Sequence, residues 1–131
     1  MKKIIIKILT LTLVLAMACT VLASCGGPKA DPDKAVESLK DNDYTAEKID
    51  SKLGLLVFSF AGDVEAVVTG VNKDLDMITI FYYADAKAAN DAWDKVKEEA
   101  ESEKDEDVDL IIKKSGKMIY VGTKAAIKAA S

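Results

Sequence analysis

The side chains able to do chemistry in this chain are carboxylates, lysines, hydroxyls and two thiols. Its 131 residues include no histidine and no arginine. Without histidine the commonest general base and metal ligand are missing. Without arginine there is no bidentate clamp for a carboxylate or phosphate. Carboxylate-pair catalysis needs two acids at a working separation. The chain's 22 acids bring some pairs together by chance, so their abundance points to no reaction. A serine nucleophile would have only lysine as its base, and Ser115-Gly116-Lys117 has the character of a turn with solvated lysines.

Two polar runs invite a calcium reading. An EF-hand loop sets carboxylates at positions 1, 3 and 5, glycine at 6 and glutamate at 12. Counted from Asp105, the acids Asp107 and Asp109 fit, but Leu110 and Gly116 fall where glycine and glutamate belong. Counted from Asn72, those places fall to Met77 and Tyr83. Both runs are expected to be solvated loops. No cofactor and no metal is implied, and no catalytic residue is assigned.

The thiol of Cys25 has a more telling setting. Lys2, Lys3 and Lys7 precede an apolar run from Ile8 to Ala23, broken by Thr10, Thr12, Cys19 and Thr20. The run is shorter than the roughly 20 residues of a membrane span and suits an export signal, which is set aside before any fold is considered. It ends in Leu22-Ala23-Ser24-Cys25, followed by Gly26 and Gly27. This tetrapeptide resembles the lipobox of bacterial lipoproteins, an aliphatic residue and two small ones before the cysteine that carries lipid. The resemblance covers about residues 1–27. It implies a signal peptide over residues 1–24, cut before Cys25, and a diacylglyceryl group on the Cys25 sulfur. It also implies residence at the extracytoplasmic face of the cell membrane. Two acyl chains anchor stably where one of myristoyl length holds only marginally. Two other outcomes fit the same segment: ordinary cleavage after Val21-Leu22-Ala23, freeing a soluble protein, or retention as an uncut anchor.

Residues 25–131 suffice for one small domain. Cys19 leaves with the signal and Cys25 is taken by lipid, so no disulfide is available, although the compartment would permit one. Three of the 18 lysines lie in the signal and all 22 acids follow it, leaving a net charge of −7. Such a chain is a poor partner for nucleic acid. It is also repelled by anionic lipid surfaces, so the acyl chains must do the holding.

Residues 25–31 are expected to be the lipidated cysteine and a short tether, under about 20 Å when extended. Residues 32–131 form the domain. Asp31-Pro32 caps and starts a helix whose stripe is Ala35, Val36 and Leu39. Residues 44–49 suit a strand, and 51–60 a short helix or turn. Val64–Val71 and Met77–Tyr83 are predicted strands of an antiparallel hairpin. Asp85 caps a long helix with Ala89, Ala92, Trp93, Val96 and Ala100 on one face, Trp93 being expected in the core. An acidic loop follows over 101–107. Strands over 109–114 and 117–121 meet at Ser115-Gly116, where glycine accepts a positive φ. Thr123 caps a last helix, with Ala126, Ile127 and Ala130 inward.

The expected class is α+β: a two-layer domain, its antiparallel sheet of four or five strands carrying helices mainly on one face. The β-β-α-β-β stretch is analogous to ferredoxin-like and TATA-box-binding-like sheets. The order of elements resembles small uncharacterised lipoproteins of Gram-positive-type bacteria, which implies no site residue. Lys113, Lys114 and Lys117 cluster at the second hairpin, either guarding a sheet edge or touching anionic lipid or wall polymer. Phe81 and Tyr83 should share one face of their strand with Met77 and Thr79, and Tyr82 the other with Ile78 and Ile80. Both faces are therefore apolar. Either the 51–60 segment covers the second face, or Phe81, Tyr82 and Tyr83 belong to an open contact surface. The expected function is a membrane-anchored extracytoplasmic binding module for an envelope protein or peptide. The alternative is a small envelope hydrolase or metal-dependent enzyme.

Overall fold

A computed structural model describes residues 27–103 and 108–131. The signal over residues 1–24, the lipid site Cys25 and the acids Asp105, Glu106 and Asp107 lie outside the described residues. Each helix begins where a side-chain oxygen can satisfy the free N–H groups of its first turn. Asp31 accepts from the backbone N–H groups of Asp33 and Lys34 and starts helix α1, Pro32–Asp41. Strand β1, Thr45–Ile49, follows. Ser51 then caps a single turn, α2 (Lys52–Leu55), which runs into a 3-10 segment at Leu56–Ala61. The short helical element expected over 51–60 is thus present.

Strands β2 (Val64–Val71) and β3 (Met77–Tyr83) form the first hairpin. Its turn is closed by the Asn72 side-chain oxygen, which accepts from the N–H groups of Asp74 and Asp76. Asp85 caps the long helix α3, Ala86–Ser102. Strands β4 (Ile111–Ser115) and β5 (Met118–Gly122) make the second hairpin, each running to one residue beyond its expected end. Gly116 turns it at φ 59°, a conformation costly for residues with a Cβ. Thr123 caps helix α4, Lys124–Ala129. Gly122 is required by space as well: a Cβ there would come within 2.8 Å of the Met77 carbonyl oxygen.

The fold is α+β, with one antiparallel sheet in the order β1-β2-β3-β5-β4. Alternation along β3 sends Ile78, Ile80 and Tyr82 to one face, where Ala35 and Leu39 of α1 and Ala126 and Ile127 of α4 pack on them. Phe81 and Tyr83 go to the other, against Ala89, Ala92 and Val96 of α3 and Ala61. Helices therefore lie on both faces, and the sheet is the middle of three layers rather than one of two. The physical reason is β3 itself. It carries no charged residue, so each of its faces needs cover.

Candidate functional site

The aromatic triplet expected as a contact surface is core instead. Phe81, Tyr82 and Tyr83 are 3%, 6% and 3% exposed. Phe58 and Phe60 of the 3-10 segment meet the Phe81 ring edge-on, each with centroids 5.8 Å away. The 51–60 segment does cover this end of the face. The Tyr83 hydroxyl donates to the Ala61 carbonyl at 2.7 Å, and the Tyr82 hydroxyl to the Lys29 carbonyl at 2.8 Å. Burial pushes both phenols well above their ordinary pKa, and Asp31 adds to the effect on Tyr82. These rings are fully occupied holding the layers together.

Bare surface remains at the other end of the same face. Met77 and Thr79 share the orientation of Phe81, but the 3-10 segment is too short to reach across them. Met77 is 42% exposed and pairs across the hairpin with Val71. Thr79 pairs with Val121 of β5. The result is a groove of about 370 Å³ with Thr79, Phe81 and Val121 among the floor residues. Val57, Phe58 and Phe60 contribute one wall; Val96 and Ala100 of α3, with Leu110, contribute the other. Glu99 of α3 and Glu103 at its C-terminal cap complete the lining. Leu56 and Val57 are 66% and 75% exposed, unusual for large apolar residues on adjacent positions. The alternation of Met77, Thr79 and Phe81 was the sequence signal for the floor; the walls depend on how far two distant segments extend.

The opposite face is closed, and part of the expected tether helps close it. Pro28 is buried, and the Lys29 N–H donates to the Ala130 carbonyl at 2.9 Å. Gly27 lies against the Tyr120 ring. Residues 27–29 are therefore a strap on the domain rather than a free linker, because Tyr82 and Tyr120 supply an apolar seat and Lys29 has backbone partners.

A wider cleft of about 720 Å³ is lined by Asp74, Asp76 and Asp109 together with Lys124 and Lys128. Among the described residues no group of three or more metal-ligating side chains could hold an ion. The Asn72 side-chain oxygen is already committed to its own turn. Trp93 is half-buried at the edge of the α3 stripe rather than in the core. Lys97 and Lys114 lie 6.0 and 5.9 Å from its ring centroid, and Lys114 also donates to Asn90. Of the three hairpin lysines, Lys114 thus has an internal role, while Lys113 and Lys117 are solvated. Among the described residues no helix is long and apolar enough to cross a membrane.

Comparison of the chain with protein-family models, with curated proteins and with solved structures finds no match.

Proposed function

We propose that the chain is a lipid-anchored extracytoplasmic binding module whose contact surface is the groove between the 3-10 segment and α3. The observation that carries the binding half is an apolar groove left uncovered by the described residues on the Phe81 face of an acidic chain. Tight packing of Phe58, Phe60 and Phe81 beneath it gives the contact residues a rigid base. The anchoring half is supported by Leu22-Ala23-Ser24-Cys25 after its basic and apolar run. One residue separates Cys25 from the strap at Gly27, and the strap lies on the face opposite the groove. Acyl chains at Cys25 would then hold the globule near the bilayer while leaving the groove accessible.

Two measurements test the two halves. Membrane fractionation should find the natural chain in the membrane pellet and Cys25→Ser in the soluble fraction; equal sedimentation of both overturns anchoring. An anilinonaphthalene dye, whose emission reports apolar binding surface, should brighten with the natural protein and do so less with Val57→Ser. Equal emission from both overturns the groove as the contact surface.

A further inference from the structure

Resting on that groove, we propose that its occupant is a basic amphipathic segment of a partner protein. An apolar side chain enters between Val57 and Ala100, and lysine or arginine beside it meets Glu99 and Glu103.

Glu99 of α3 and Glu103, the residue that caps its C-terminal end, are exposed and face the same groove. Among the described residues neither is held in an ion pair, and no lysine lines the groove. Two exposed carboxylates beside an apolar floor repel a fatty acid, an anionic lipid headgroup or a polyphosphate wall polymer, and attract a cation. The charge of −7 on residues 25–131 extends the same preference to longer range. The volume, about 370 Å³, has room for an apolar side chain and part of a neighbouring one. At the open end, Met77 offers a flexible surface that adapts to the entering group.

The test uses the full chain in detergent micelles and a fluorescent helical peptide of leucine and lysine. Leucine–glutamate and leucine–glutamine peptides of equal length, and anionic phospholipid vesicles, serve as competitors. Anisotropy should show binding of the leucine–lysine peptide that weakens with added salt and is displaced by neither other peptide. The double variant Glu99→Gln/Glu103→Gln should lose roughly three- to tenfold in affinity and most of the salt dependence. Val57→Ser should also weaken binding. All three positions are exposed, and circular dichroism verifies that the variants fold.

Failure of the leucine–lysine peptide to bind overturns the proposal. So does equal binding of the glutamate or glutamine peptide, though Val57→Ser weakening every peptide alike would leave the groove standing as a contact surface. Preferential capture by anionic vesicles assigns the groove to lipid instead. Loss on glutamine substitution without loss in Val57→Ser reduces the effect to general charge attraction and likewise overturns it.

Discussion

The two faces of the sheet are built from the same strand and finished differently. On the Tyr82 face, α1, α4 and the strap meet over Ile78, Ile80 and Tyr82, and Ala35, Leu39, Ala126 and Ala130 are wholly shielded from water. On the Phe81 face, cover extends from Tyr83 to Phe81 and then thins toward Met77. The difference lies in the covering elements. Alanines let α1 and α4 approach the sheet closely, and Leu39 fills the space above Gly70. The 3-10 segment has only six residues to cross the other face. Both faces contribute a core cluster, and the second leaves apolar surface uncovered at its Met77 end.

Leu39→Ala should break the closed face with the largest effect. The side chain is fully buried against Gly70, so its loss leaves a cavity and costs about 2–5 kcal/mol, measured as a fall in the urea midpoint. A loss below about 1 kcal/mol would mean that α1 is loosely seated and that the faces do not differ as described.

Alkaline pH should come next. All four tyrosines, Tyr44, Tyr82, Tyr83 and Tyr120, have phenols raised in the fold, chiefly by burial. The unfolded chain ionises them at the ordinary value, so it binds fewer protons than the fold above about pH 10. Their contribution is complete below that pH and declines as the pH climbs through the raised values. Each phenol steepens the decline by up to about 1.4 kcal/mol per pH unit. Tyr83→Phe should be less stable than the natural chain at neutral pH, having lost its bond to Ala61, yet show a shallower alkaline fall. Urea titrations across that range give both slopes, and identical slopes would count against a buried phenol.

Tyr82→Phe should act on the strap. Losing the hydroxyl leaves the Lys29 carbonyl without that donor, at a cost of about 1 kcal/mol. The Lys29 N–H, bonded to Ala130, should then exchange faster with deuterium, while amides of α3 keep their protection. Faster exchange throughout α3 would show that the two faces are coupled rather than independent.

Much of the closed face was legible in the sequence, and little of the groove was. Asp31-Pro32, Asp85, Thr123 and Ser115-Gly116 mark their caps and turn through local chemistry, which acts within a few residues. The paired apolar faces of Met77–Tyr83 were equally plain. Which of those faces would be exposed was not, because it depends on the reach of segments distant in sequence. Phe81, Tyr82 and Tyr83 were conspicuous by type, and large aromatic rings find cover wherever the chain supplies it. Trp93 was misplaced for the converse reason: helical spacing gives its face but not how far the neighbouring layer extends. Val57 carried no local signal at all, since its exposure follows from the path of the 3-10 segment.

Substitutions at the open end should move stability little, and in one case upward. Leu75, at the tip of the first hairpin, is 71% exposed at φ 65°, a conformation unfavourable for a residue with a branched side chain. Leu75→Gly should relieve that strain and stabilise by about 0.5–1 kcal/mol. Val57→Ser should shift stability by less than about 0.5 kcal/mol, because three-quarters of the side chain already faces water. Set beside Leu39→Ala, it is the sharper half of the contrast. The two residues are of similar size and both aliphatic, yet one is expected to cost several kcal/mol and the other almost nothing. A Val57→Ser loss above about 1 kcal/mol would mean that the residue packs in solution and that the groove is closed in the free protein. A negligible loss accompanied by weaker dye or peptide binding would assign the side chain to recognition rather than to folding.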